Sequence, residues 1–258
     1  MCKQIALRTW AAFAVLAAWL TATSGCVMPK SAPKPLLPGI SLDQNARVIV
    51  LEGEVCLEQG LLEYIAVADG GKKYESVFSL RCRPSQLQAA MLMAGYDPGH
   101  LPDELRGDFA PQAAARTLPE GAPRTTPPPP EYGQQLGASL TRVYIDVDVR
   151  RSDGTWAHRP VESFLIERRT GKPPKRLSWA FTGSFFLWDE TLSVEYFVAD
   201  REKSLVALWY DPTALLNLTR SVGDPYRGED LGLEVNPASL PAKGTAVRLN
   251  LIPAAETP

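Results

Sequence analysis

The segment Val143-Tyr144-Ile145-Asp146-Val147-Asp148-Val149-Arg150 alternates apolar and polar residues along its whole length. Successive side chains of an extended strand point to opposite faces, so this pattern fits a strand with one face in a core and the other in water. A helix would scatter the same residues around its axis. The alternation therefore demands a sheet, and it sets Asp146 and Asp148 side by side on the polar face. Other runs carry the same message. Residues 47–57 and 61–68 are rich in Val, Ile, Leu and Tyr, with Glu58-Gln59-Gly60 between them, and a third run over 73–81 follows Asp69-Gly70-Gly71. Turn-forming residues between such runs predict strands joined as hairpins. Further strands are predicted over 177–182, 194–199, 205–210 and 246–252.

Helical spacing is scarcer. Pro84 opens a segment in which Leu87, Met91 and Ala94 recur before Gly95 and Pro98 stop it, the order of punctuation that helices favour. A second helix is predicted with Pro160 at its first position, Val161, Phe164, Leu165 and Arg168 along one side and Gly171 past its end. A short third runs from Asp211-Pro212 through Leu218. The expected fold is α+β, mainly antiparallel sheet with two or three helices, preceded by a signal peptide and a tether.

The leader rests on the first residues. Met1-Cys2-Lys3-Gln4 supplies a basic start, residues 10–20 are apolar, and small residues follow over 21–25. That run is shorter than the roughly 20 apolar residues a membrane-spanning helix needs, so residues 1–25 read as a removable signal peptide. Thr23-Ser24-Gly25-Cys26 resembles a bacterial lipobox, with Thr23 in place of the usual leucine, and the resemblance implies lipidation of Cys26. Acyl chains contribute about 0.8 kcal/mol per buried methylene and would hold the chain at a membrane. Val27 and Met28 supply no Asp of the kind that retains some lipoproteins at the inner membrane, which points to the outer one. Residues 26–45, with Pro29, Pro33, Pro35 and Pro38, read as a Pro-rich tether, and a single domain is expected over 46–258. Within it, the change to Ala, Arg, Thr and Pro around Pro127-Pro128-Pro129-Pro130 predicts an exposed insertion at about 107–135.

Acidic and basic side chains nearly balance, 29 against 27. Without a net field, nucleic-acid binding is not expected.

In the first half, Gly60-Leu61-Leu62-Glu63, Tyr74-Glu75-Ser76, Ala89-Ala90-Met91-Leu92, Gly95 and Pro98-Gly99 occur in that order. In the second half come Ser178-Trp179-Ala180-Phe181-Thr182-Gly183-Ser184, Tyr196, Ala199-Asp200, Pro212-Thr213-Ala214-Leu215-Leu216 and Gly244-Thr245-Ala246-Val247-Arg248-Leu249. This order resembles the YdjY domain family from Val48 to Pro253. The resemblance implies an exported or membrane-associated bacterial protein and carries no agreed activity. Family members often have histidines where this chain has Tyr74 and Gln88, and many have a cysteine where it has Val67. The ferredoxin-like label of some relatives does not transfer, because an iron–sulfur cluster needs about four thiolates and only Cys56 and Cys82 remain once Cys26 is lipidated.

Several constellations could carry chemistry. Cys56 and Cys82 are disulfide candidates in an oxidising compartment, although in a simple meander they would sit two strand spacings apart, about 9.6 Å, and the alternative is two separate core thiols. Glu63 and Glu75 could face each other as paired carboxylates, against a structural role beside Lys72, Lys73 and Arg81. Ser184 follows an apolar strand, but the chain lacks the second glycine of a nucleophile elbow, and only His100 and His158 could serve as its base. Asp146, Asp148, Asp153 and Gly154 resemble an oxygen-rich cation site, yet a solvated strand face and an Asp-Gly turn account for them, so no metal and no cofactor are expected. His158 reads as a surface loop residue. Among the many aromatics of 179–210, Trp179, Trp188 and Trp209 are the binding candidates, to be weighed against a core role. The expected function is a membrane-tethered envelope lipoprotein whose domain binds or assembles with an envelope protein or glycan and does not catalyse. The alternative is a hydrolase acting on an envelope polymer through Glu63 and Glu75 or Ser184.

Overall fold

The computed structural model describes residues 32–99, 140–223 and 230–254. The signal peptide, Cys26 and the insertion at 107–135 lie outside these residues.

The wall is a closed barrel of eight strands. In order around it run β3 (Val48–Val55), β16 (Ala246–Pro253), β7 (Arg142–Arg150), β10 (Trp179–Phe181), β14 (Leu216–Leu218), β13 (Ser204–Ala207), β5 (Tyr64–Ala68) and β6 (Ser76–Leu80), and β6 pairs back onto β3. The alternating segment forms β7, which lies against β16 over seven residue pairs from Val143↔Pro253 to Val149↔Val247. Eight strands leave an interior that side chains fill. Here Ile49, Leu51, Phe78, Ile145, Val147, Trp179, Phe181, Leu249 and Leu251 are fully buried, so the barrel is a packed core.

The closing seam depends on Gly53. A Cβ there would lie 2.4 Å from the Ser79 carbonyl oxygen and 2.6 Å from a Leu80 methyl carbon. No larger residue lets β3 and β6 approach at Gly53↔Leu80.

Other elements cover the barrel. The hairpin β1 (Lys34–Leu37) and β2 (Ile40–Asp43) extends the wall beyond β3, and β8 (Trp156–Pro160) pairs with β7 off the barrel path. Helix α1 (Pro84–Met93) follows β6 directly and buries Leu87, Ala90 and Met91. Three short strands, β4 (Leu61–Leu62), β9 (Leu165–Glu167) and β15 (Leu233–Val235), form a separate sheet in the order β4-β15-β9. A two-stranded hairpin, β11 (Phe186–Asp189) and β12 (Val194–Phe197), stands apart and leads into the single-turn helix α2 (Val198–Glu202).

The fold corrects the α+β expectation: it is a mostly β structure with a closed barrel and, among the described residues, two α-helices. Residues 161–164 make a 3₁₀ turn and then β9, because the ladder offered by β15 at Val235↔Leu165 favours extended backbone there. Leu216-Asn217-Leu218 is strand β14, with both leucines in the core and Asn217 directed to the outer layer. A short apolar run fits either period, and the neighbouring strands decided it. The predicted meander is also replaced. β5 and β6 are parallel, joined by the crossover 69–75, and β13 and β14 are parallel, joined by 208–215. Residues 34–43 belong to the folded unit, with Ile40 and Leu42 in its core, so that unit begins before the boundary at 46.

Candidate binding hairpin and the predicted site residues

Hairpin β11–β12 exposes more apolar surface than its small size can bury. Phe186 is 58% exposed, Trp188 62%, Leu192 68% and Val194 46%. Monomers rarely leave large apolar side chains grouped in the open without use for them. The hairpin is nevertheless firmly built. At its tip the Asp189 carboxylate accepts the Thr191 and Leu192 N–H groups, both at 3.0 Å, and Ser193 takes a left-handed φ of 51°. At its root the Phe186 and Phe197 rings lie 5.2 Å apart and the Val198 N–H donates to the Phe185 carbonyl at 2.9 Å.

Beside it opens a cleft of about 600 Å³ between the hairpin, α2 and the start of α1. Most of its charges are paired internally, and Glu195 is exposed on its wall. Asp200 accepts the Ser85 N–H and hydroxyl, both at 2.8 Å, and pairs with Arg83 at 2.9 Å, so it caps α1 from another element. Arg201 pairs with Asp189 at 3.2 Å and covers the Tyr196 ring at 4.9 Å. What the cleft offers a ligand is chiefly aromatic and aliphatic surface, with paired polar groups and the exposed Glu195 around it.

The three tryptophan candidates are not one platform. Trp179 is fully buried in the barrel, where its indole N–H donates to the Ala207 carbonyl at 3.0 Å. Trp209 is 41% exposed, but it lies beyond the end of β13 away from α2. Trp188 alone of the three sits on the hairpin.

Glu63 and Glu75 do converge, on Lys72. Its ammonium lies 3.1 Å from Glu63 and 3.7 Å from Glu75 and 5.6 Å from the centre of the Tyr64 ring. Burial pushes the Glu63 carboxyl above the usual range, Lys72 opposes this, and neighbouring Glu75 adds to it. Burial also works against the Lys72 ammonium, yet its carboxylate partners leave its pKa raised. The next residue, Tyr64, donates its hydroxyl to Asp211 at 2.8 Å. Asp211 also accepts the Thr213 N–H and hydroxyl, and its own N–H donates to Asn217, which donates in turn to Thr182. Lys72 belongs to the crossover 69–75 and Asp211 to the crossover 208–215. Two adjacent residues at the start of β5 thus fasten both outer crossovers, which gives this polar cluster a structural task. Sequence reasoning missed the Tyr64–Asp211 bond; Asp211-Pro212-Thr213, a turn-forming triplet, was the available signal.

Ser184 is remote from these carboxylates. Ala66, Val206, Leu216 and Phe181 form one rung across four strands, and Glu63 lies past one side of it while Ser184 lies past the other. The Ser184 hydroxyl accepts the Ala199 N–H at 3.2 Å, and its backbone N–H donates to Gln88 at 2.8 Å. It caps a helix, and a hydrolase combining it with Glu63 and Glu75 is not assembled.

Cys56 and Cys82 are free and buried. Their strands β3 and β6 are antiparallel neighbours, so the two cysteines fall at opposite ends of the pair, about five residues or ~17 Å apart. That exceeds the ~7 Å reach of a disulfide. Burial pushes the Cys56 thiol up to about 11 and the Cys82 thiol up to about 12.

Asp146 and Asp148 flank His158, whose strand β8 corrects its reading as a loop residue. Asp153 closes the Asp-Gly turn by accepting the Thr155 N–H at 2.8 Å. Among the described residues no group of three or more His, Cys, Asp or Glu side chains is arranged to hold a metal ion, and no helix is long and apolar enough to cross a membrane. No family model matches the chain, and neither does any curated protein or solved structure.

Proposed function

We propose that this chain is a membrane-tethered envelope lipoprotein whose YdjY-like barrel serves as a binding or assembly module, docking through hairpin β11–β12. The observation that carries this reading is the exposure of Phe186, Trp188, Leu192 and Val194 on one rigidly rooted hairpin. The cleft beside it supports binding to a largely apolar surface, since its two arginines are already paired and the exposed Glu195 disfavours an anionic one. Lipidation at Cys26 rests on the lipobox resemblance and an outer-membrane site on the residues that follow it.

The test places a photo-crosslinking residue at position 188, and separately at Asp153 on the turn between β7 and β8, in the lipidated chain in its own cells. A discrete adduct from position 188, absent from 153 and lost when Leu192→Glu is added, is expected. Trp188→Ala should leave thermal stability within about 0.5 kcal/mol of the parent, as exposed substitutions do. Equal labelling from both positions would refute docking through the hairpin.

A further inference from the structure

Strand β8 is an edge strand laddered to β7 over its five residues. It pairs only with β7 among the described residues, and none of its five residues is buried. Its apolar contribution to the core is slight, so its pairing leans on polar contacts. Arg150 and Arg248 over Trp156 hold one end of the strand, and His158 holds its middle. The residue stands directly opposite Asp148, and Asp146, two residues along β7, shares that face. The ring Nδ1 lies 2.7 Å from Asp148 Oδ1 and Nε2 lies 3.2 Å from Asp146 Oδ2.

An ionised carboxylate can only accept, and a neutral imidazole carries a single N–H. Both contacts are hydrogen bonds only when the ring is doubly protonated. The remaining oxygens are occupied: Arg176 lies 2.6 Å from Asp146 Oδ1 and 2.9 Å from Glu162, and Asn250 on β16 donates to Asp148 Oδ2 at 2.9 Å. The other nearby cations, Arg150 on β7 and Arg248 on β16, stack over Trp156 at 5.6 and 4.2 Å. Each aspartate therefore keeps one oxygen for His158, and the loss of the imidazolium leaves one of them facing a lone pair.

We propose that His158 is a pH-operated clasp, in which its imidazolium fastens edge strand β8 to β7 and its deprotonation releases that edge. The hydrogen bond to Asp148 is the largest influence on the ring and partial desolvation opposes it; further attraction from both aspartates leaves its pKa above the ordinary 6.5. A raised folded-state pKa means that the clasp acts fully below the unfolded value and is lost as pH rises through the folded one.

The experiment follows hydrogen–deuterium exchange of the amides of residues 156–159 in the full-length chain between pH 5.5 and 8.5, corrected for intrinsic exchange, together with the His158 ring resonance by NMR. The chain has two histidines, so a His100→Gln version assigns the signal. Protection should fall about fivefold as the ring titrates, the size expected for two partly exposed ion pairs. Asp148→Asn should move the step to lower pH, and His158→Gln should abolish it while the chain stays folded. Uniform protection across the range, a step that persists in His158→Gln, or a ring that titrates at or below 6.5 would overturn the clasp.

Discussion

Removing one oxygen atom tests whether the crossovers are held as described. Tyr64→Phe keeps the buried ring, so it opens no cavity and the loss is the hydroxyl alone. That hydroxyl donates 2.8 Å to Asp211 Oδ2, while Asp211 Oδ1 keeps the Thr213 N–H and hydroxyl at 2.8 and 2.6 Å. Asp211 is 9% exposed, so water replaces the lost donor poorly. A hydrogen bond to a charged group contributes roughly 1.5–3 kcal/mol, and a buried acceptor left without its donor costs a similar amount. The expected destabilisation is about 2 kcal/mol, or a drop of roughly 4–8 °C in Tm for a domain of this size. Urea unfolding of Tyr64→Phe, Asp211→Asn and the double variant measures it. The double variant should cost clearly less than the sum of the singles, because the two residues share one bond. A loss below about 0.5 kcal/mol in Tyr64→Phe, or strict additivity, would refute the claim that this bond pins the 208–215 crossover.

Lys72→Met should remove the cation shared by Glu63 and Glu75 and cost about 1–2 kcal/mol at pH 7. Glu63 already holds its proton to higher pH in the native state than in the unfolded chain, so the native state binds more protons there and stability falls as pH rises. Without Lys72 that fall should steepen, and the deficit should shrink towards pH 4; a pH-independent deficit in chemical denaturation would contradict it. With their thiols raised by burial, Cys56 and Cys82 should resist iodoacetamide in the native protein and react on unfolding, as intact-mass measurement will show; rapid native labelling would place them outside the core.

The strands were legible where the chain writes a long pattern. Residues 143–150 and 246–252 alternate over enough positions to fix both strand and face, and Pro84 with Gly95 punctuates α1. Closure was not legible, because it rests on Gly53 approaching the Ser79 backbone, a contact between residues 26 positions apart that leaves no local trace. The parallel crossovers were hidden for a related reason. Asp69-Gly70-Gly71 has the composition of a hairpin turn, and only the partner of β5 reveals that the chain passes over the outside of the sheet. Exposure was equally silent in the aromatics. Trp179 and Trp188 both sit in apolar strands, and one lies in the core while the other faces water, because β10 is inside the wall and β11 stands off it. The convergence of Glu63 and Glu75 was visible as a pairing, but its meaning depended on Lys72 reaching back across the crossover.

The position of β16 bears on how such a chain can be handled while it is made. Its two neighbours, β3 and β7, are drawn from residues 48–55 and 142–150, and neither pairs directly with the other. Until residues 246–253 arrive, both of those strands keep an open edge and the barrel has a gap, so earlier segments have no closed core to settle into. Closure of the barrel therefore waits on residues 246–253, after the other seven strands of its wall have been laid down.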